Sequence, residues 1–220
     1  MTTTIHIDRK ILEKNEVVAV RLKRFFNEKK IVVVNFMSSP GAGKTTLLEK
    51  TIKSISAVKK TGVIEGDIAT DGDARRIESA GASWVVQINT GGVCHLDAAM
   101  VEKAVALMPE GLELLIIENV GNLVCPSGFD LGDDHKVIVA SVTEGLDKPK
   151  KYPGMYRESN AMVLNKIDLA PHVNVDPDEF VKEALGVNPL LRVFKTSATT
   201  GTGLAEFCGW ITALSKKSDG

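Results

Sequence analysis

The 220-residue chain has no excess charge of either sign: 27 Lys and Arg stand against 28 Asp and Glu, a formal net charge of −1. No general field therefore draws nucleic acid or an anionic membrane surface, and neither is expected as a partner. Basic residues are scattered, apart from short clusters such as Lys148-Pro149-Lys150-Lys151. No stretch approaches the ~18 consecutive apolar residues of a membrane-spanning helix. Met1-Thr2-Thr3-Thr4-Ile5-His6 has no signal-peptide core, so a cytoplasmic location is expected. Cysteine is scarce and odd in number: Cys94, Cys125 and Cys208. In that compartment this argues against a disulfide framework and leaves burial or metal binding. No internal repeat, low-complexity tract or Pro/Gly linker divides the chain. With 44% hydrophobic residues, its length suits one α/β domain with a sizeable core.

What is present is organised around one loop. The apolar run Ile31-Val32-Val33-Val34-Asn35-Phe36 leads into Met37-Ser38-Ser39-Pro40-Gly41-Ala42-Gly43-Lys44-Thr45-Thr46, and a helix-like stretch begins at Leu47. A buried strand, a Gly-rich turn and a helix are the context of a phosphate-binding P-loop. Gly41 and Gly43 lack Cβ atoms, so the backbone can turn its N–H groups inward, with the helix dipole aimed at the same spot. Lys44 is expected to reach the β- and γ-phosphates, and Thr45 to place its hydroxyl on Mg²⁺. Ser38 stands where the usual pattern begins with Gly.

Residues 1–10 read as an extended lead, and residues 12–30 as a helix starting near Asn15-Glu16, with Val17, Val18, Val20, Leu22, Phe25 and Phe26 on its apolar positions. Strands are expected at 31–36, 63–67, 84–88, 114–118, 137–142, 161–165 and 192–196, and helices to about residue 57, at 70–80, to about 108, at 178–185 and at 203–216. Short apolar runs alternating with helices predict a P-loop NTPase fold: a mostly parallel sheet of about seven strands, helices on both faces and an added N-terminal helix. Residues 1–30 form the helical extension and 31–220 the P-loop domain of what reads as one unit. In such sheets function lies at the carboxyl ends of the strands. Lys44, Asp67, Glu118 and Asn165 all fall there. Lys44, Asp67 and Glu118 are the catalytic candidates, and Thr45, Asp67 and Glu118 the candidate Mg²⁺ ligands.

The base is read from Asn165-Lys166-Ile167-Asp168, which follows the apolar Ala161-Met162-Val163-Leu164 and resembles the guanine-reading motif of GTPases. A carboxylate at Asp168 can accept from guanine N1–H and the exocyclic amine, a donor pair adenine lacks. Asn165 is expected on the base edge and the Lys166 stem on the ring face. Such a site rejects the wrong base because its buried polar groups are then unpaired. Lys195-Thr196-Ser197-Ala198 resembles the second guanine-contact loop, with Ser197 and Ala198 as binding residues. The nucleotide set is thus Gly41, Ala42, Gly43, Lys44, Thr45, Thr46, Asn165, Lys166, Asp168, Ser197 and Ala198, for GTP and GDP. No Gln occupies an obvious water-positioning slot, so slow hydrolysis, suited to a switch, is expected.

Cys94-His95 and Cys125 lie on loops after strands and form a soft donor set suited to Zn²⁺ or Ni²⁺. Free cysteine is more often a buried small hydrophobe, and an isolated histidine is usually packed or capping, so spacing alone leaves both readings open. Cys208, near Phe207 and Trp210, reads as core. Three ligands leave a four-coordinate metal incomplete, to be completed by water, another side chain or a second subunit.

Taken together, Ser-Pro-Gly-Ala-Gly-Lys-Thr, Gly-Asp-Ile-Ala-Thr, Asn-Thr-Gly-Gly-Val-Cys-His-Leu-Asp-Ala, Glu-Asn-Val-Gly-Asn-Leu-Val-Cys-Pro and Asn-Lys-Ile-Asp resemble the HypB family, SIMIBI-class GTPases that assist nickel insertion into [NiFe]-hydrogenases. The resemblance runs from about Ile31 to Gly203. It implies a metal site at Cys94, His95 and Cys125, a GTP-dependent homodimer, a HypA-type nickel metallochaperone as partner and a hydrogenase large subunit as recipient. Residues 1–30 hold neither the Cys-x-x-Cys-Gly-Cys site nor the His-rich tract of some members, so nickel is expected only at the Cys94/His95/Cys125 site. Lys148 and Lys151 are candidates to reach a nucleotide across a dimer. Three readings compete: a urease-type nickel GTPase, whose Cys-Pro-His tripeptide is missing here; a metal-binding scaffold with an idle nucleotide site; and a small-molecule kinase.

Overall fold

Strands made of unbroken apolar residues need cover on both faces. β1 (Val32–Ser38) and β4 (Leu114–Glu118) are buried at every position, and so is β6 (Ala161–Asn165). With β2 (Thr61–Asp67), β3 (Trp84–Asn89), β5 (His135–Ser141) and β7 (Arg192–Lys195) they form one parallel sheet in the order β3-β2-β4-β1-β5-β6-β7. The computed structural model describes residues 8–67 and 72–216, with the backbone alone at 8–10 and at Asp67.

Nine α-helices are present among the described residues: α1 (Asp8–Glu28), α2 (Lys44–Ile55), α3 (Gly72–Ser79), α4 (Ala98–Val105), α5 (Lys148–Lys151), α6 (Pro153–Glu158), α7 (Ala170–Val173), α8 (Pro177–Val187) and α9 (Leu204–Ala213). On one face α2, α3 and α9 bury Leu47, Leu48, Ile52, Ile77, Phe207 and Ile211 against Val32, Val34, Phe36 and Val63. On the other, α1 and α4 bury Ala19, Leu22, Phe26 and Val101 against Val33, Ile64, Leu115 and Ile117. Beside them α6 and α8 bury Met155, Tyr156 and Phe180 against Ile138, Met162 and Leu164. No helix of the described residues is long and apolar enough to cross a membrane.

The expected strands are all present, within two residues at their ends. The helix ends differ for identifiable reasons. The N-terminal helix begins at Asp8, not near Asn15, and residues 8–10 of the expected extended lead are helical; residues 1–7 lie outside the described residues. Asn15 does not cap. Its Oδ1 accepts from the Ala98 N–H at 2.8 Å and its Nδ2 donates to the Asp130 carbonyl at 2.8 Å. The same helix stops at Glu28, because Lys30 turns to a left-handed φ of 57° to enter β1. α9 stops at Ala213, where Lys59 Nζ takes the Thr212 and Leu214 carbonyls and Lys216 Nζ pairs with Asp134 at 2.7 Å. The Lys148 cluster forms a one-turn helix with Pro149 in its first turn, where a missing N–H costs nothing. Residues 70–71 of the helix expected at 70–80 lie outside the described residues.

Because α1 supplies fully buried side chains to the layer over β1 and β4, it should carry stability rather than hang free. Truncating Phe26, with 0% exposure, to Ala should lower the unfolding free energy by about 3–5 kcal/mol in a urea titration, whereas a loosely attached helix would give under about 1 kcal/mol.

Candidate functional site

All seven strands point the same way, so the loops after β1, β2, β3, β4, β6 and β7 gather at one edge. The β1–α2 loop wraps a cavity of 200 Å³ lined by Ser38 to Thr46, with Arg76 and Gly121 at its rim. Gly43 has a φ of +89°, and a Cβ there would lie 2.7 Å from Asn165 Nδ2, so no side chain fits. α2 begins at Lys44 and aims its N-terminus at the cavity, the arrangement that binds phosphate.

The floor of this cavity holds a buried charge cluster. Lys44 Nζ lies 2.8 Å from Glu118 Oε1, and the Thr45 hydroxyl donates to the same oxygen at 2.7 Å. Thr45 Oγ1 is also 3.2 Å from Asp73 Oδ2 of α3. Burial works to raise the Glu118 pKa, but Lys44 and the hydrogen bonds around it hold the carboxyl below its usual value. Glu65, paired with Glu118 in strand register, behaves oppositely. Burial first, then the adjoining Glu118 charge, pushes it up to about 10, so it carries a proton at neutral pH. Arg76 joins α3 to α2, donating to Glu49 at 2.8 Å, Asp73 at 3.0 Å and the Thr46 hydroxyl at 3.1 Å.

At the other end of the cavity, Asn165 is buried and braces two loops. Its Nδ2 donates to the Ala42 carbonyl at 3.0 Å, and its Oδ1 accepts from the Ala198 N–H at 3.1 Å. Lys166, at a left-handed φ of 61°, donates to the Gly41 carbonyl at 2.6 Å. Asp168 is exposed, and Ser197 Oγ accepts from the Thr200 N–H at 3.1 Å. In this arrangement Asn165 and the Ala198 N–H serve each other, and Asp168 is the group left facing solvent.

A second cluster lies after β3 and β4. The Sγ atoms of Cys94 and Cys125, both free thiols, are 2.9 Å apart, and His95 Nδ1 is 3.8 Å from Cys94 Sγ. The three donor atoms all lie within 4.8 Å of one another. Two sulfurs and an imidazole so close fit a soft divalent cation. The His95 ring stacks on Phe129 at 4.0 Å between centroids. Burial lowers the His95 pKa, favouring the neutral ligand form, and the hydrogen bond to Cys94, then burial, raises that of Cys125. Metal binding here must therefore expel a thiol proton.

Asn119 connects the clusters. It follows Glu118 directly and is fully buried, and its Oδ1 accepts from the Leu96 N–H at 3.0 Å and from the Val120 N–H at 3.0 Å. Two residues on, a Cβ on Gly121 would lie 3.3 Å from the Pro40 backbone, so this segment runs tightly against the P-loop. Asn122 Oδ1 then accepts from the Val124 and Cys125 N–H groups at 2.7 and 3.3 Å. Cys208 is buried in the core, as its helical spacing suggested.

The structure brings Gly41, Ala42, Gly43, Lys44, Thr45, Thr46, Glu118, Asn165, Lys166, Ser197 and Ala198 to one cavity edge, and joins Cys94, His95 and Cys125. Asp67 ends β2 at the same edge, but its side chain is outside the described residues. Sequence reasoning passed over Glu65, Asp73, Arg76 and Asn119. Glu65 carried a signal, an acid directly after the apolar Val63-Ile64 of a strand, whereas Asn119, between Glu118 and Val120, carried none of its own.

This fold and its phosphate loop define a P-loop nucleotide-binding domain. The signal recognition particle receptor FtsY from Elizabethkingia anophelis, solved in complex with GDP, shares the fold at a TM-score of 0.54 and 14% identity, covering 92% of this chain and 73% of that one. A sequence profile described as CobW/HypB/UreG, nucleotide-binding domain, matches residues 32–195. The chain is 50% identical over 208 residues to hydrogenase maturation factor HypB of Rhizobium leguminosarum bv. viciae, covering 94% of this chain and 69% of that protein. HypB from Helicobacter pylori, solved in complex with nickel, superposes with a TM-score of 0.84 at 38% identity, covering 90% and 93% of the two chains. The chain belongs to the HypB family of hydrogenase maturation factors.

The Glu65 proton has a measurable consequence. Its folded pKa, about 10, lies above its value in an unfolded chain, so the folded state holds a proton that the unfolded state releases above about pH 4.5. Stability contributed by that proton is therefore lost as pH rises. Glu65→Gln removes the dependence, and its stability relative to wild type should climb between pH 5 and 9 by up to about 1.4 kcal/mol per unit. A pH-independent difference would mean that Glu65 is ionised in the folded protein.

Proposed function

We propose that this chain is a guanine-nucleotide switch that handles nickel during [NiFe]-hydrogenase maturation. It binds GTP, hydrolyses it slowly to GDP, dimerises in the GTP state and passes nickel towards a hydrogenase large subunit, with a HypA-type metallochaperone as partner and the cytoplasm as its place of work. The observation that carries this reading is the Asn119 bridge, which ties the strand end bearing Glu118 to the loop bearing His95.

The residues assigned from the sequence keep their roles in this proposal. Lys44 neutralises phosphate charge, and the P-loop amides of Gly41, Ala42, Gly43, Thr45 and Thr46 cradle it. Thr45, Asp67 and Glu118 hold Mg²⁺. The oxygen-rich surroundings of the Thr45 hydroxyl, with Glu118 and Asp73, fit that hard cation. Bound Mg²⁺ would neutralise charge on the β- and γ-phosphates. Asp168 reads the guanine, with Asn165 at the base edge, Lys166 against the ring and a backbone N–H of the Ser197–Ala198 loop on the guanine carbonyl oxygen. Cys94, His95 and Cys125 take nickel as cargo, and the same donors suit Zn²⁺.

Three measurements test this reading. In sedimentation of the whole protein, a non-hydrolysable GTP analogue should drive monomer to dimer where GDP does not, with Ni²⁺ or Zn²⁺ compared in parallel, and Cys94→Ala should change the metal response. A species indifferent to nucleotide would leave a metal-binding scaffold. Lys44→Ala should abolish phosphate release; retained turnover would remove the P-loop from the chemistry. Asp168→Asn should weaken GTP at least ~100-fold while improving xanthosine triphosphate, because the amide can no longer accept from both guanine donors. Unchanged base preference would leave the small-molecule kinase reading standing.

A further inference from the structure

A buried asparagine in the middle of a helix's apolar stripe needs a reason. Asn15, Ala19, Leu22 and Phe26 follow the spacing of one helix face, and that face lies against the sheet and α4. Asn15 is only 8% exposed. An unpartnered amide there would cost more than an apolar residue, yet both of its polar atoms are paired, and both partners are backbone groups far away in sequence.

Those partners lie just beyond the metal-site residues. The Ala98 N–H, which donates to Asn15 Oδ1, starts α4 three residues after His95. The Asp130 carbonyl, which accepts from Asn15 Nδ2, follows Phe129, the ring on which His95 stacks, and closes the segment that begins at Cys125. The His95 loop is thus held at Leu96 by Asn119 and at Ala98 by Asn15. The Cys125 loop is held at its start by Asn122 and at its end by Asn15.

We propose that Asn15 is a positioning residue of the metal site, its buried amide fixing the loop that bears His95 against the loop that bears Cys125. It touches no ligand atom and acts through the backbone of both loops, one step further out than the partners hydrogen-bonded to ligands that tune metal affinity about 10- to 100-fold. The inference rests on the metal reading proposed above.

The test uses the full chain, Ni²⁺ alone and competition against a chromogenic chelator, with the thiolate-to-nickel charge-transfer absorbance per bound ion as second readout. Asn15→Leu, similar in shape but unable to bridge, should weaken nickel at least tenfold and change the band. Leu22→Ala, from the same stripe, should lower the melting temperature while leaving nickel affinity within twofold. Asn15→Asp keeps the acceptor for Ala98 and loses the donor to Asp130, so it should also weaken nickel, and it serves if the Leu variant does not fold. Unchanged affinity and band in either Asn15 variant, or equal losses in Asn15→Leu and Leu22→Ala, would overturn the proposal. Wild-type affinity no tighter than that of Cys94→Ala would instead overturn the metal reading itself.

Discussion

Two adjacent buried residues at the end of β4 face opposite ways, and the functional edge of the molecule depends on both. Glu118 takes Lys44 and Thr45 of the P-loop, while Asn119 takes the backbone of the His95 loop. The Lys44–Glu118 pair is buried on both sides, with side-chain exposures of 10% and 1%. Losing one partner of such a pair leaves an uncompensated charge, at a cost of about 3–5 kcal/mol. Any ligand that draws Lys44 or Thr45 towards phosphate must therefore offer Glu118 a replacement. A divalent cation beside Thr45, as proposed, would do so and would make nucleotide and cation a single electrostatic unit.

The neutral Glu65 fits the same logic. Two carboxylates in register on neighbouring strands cannot both ionise in the sheet interior, and Glu118 is the one in direct ion pair with Lys44. The paired acid keeps its charge and the other keeps its proton. The thiol cluster follows a related rule: its sulfurs and imidazole are close enough to share one ion, and the Asn119 and Gly121 contacts make their loops neighbours of the phosphate cavity.

Much of this was legible in the sequence because it is local. The P-loop, the Asn-Lys-x-Asp tetrapeptide and the alternation of apolar runs with helices each announce themselves within a short window, and the sheet follows from the burial of those runs. Helix ends were less legible, because Lys30 and Leu214 end their helices through tertiary demands on the chain. Asn15 misled most. Its type and position suggested a helix start, while its actual partners lie 83 and 115 residues away. A polar residue's role depends on what the fold brings to it, and hydrophobic periodicity says nothing about that.

Coupling between nucleotide and metal is the central claim, and metal affinity in the two nucleotide states tests it most directly. The Ni²⁺ and Zn²⁺ dissociation constants of the whole protein would be compared with GDP and with a non-hydrolysable GTP analogue bound, in wild type and in Asn119→Ala. The account predicts a difference of about five- to 150-fold between nucleotide states, collapsing when the Asn119 bridge is cut. Equal affinity in both states would contradict it, leaving two independent sites that merely share an edge of the sheet.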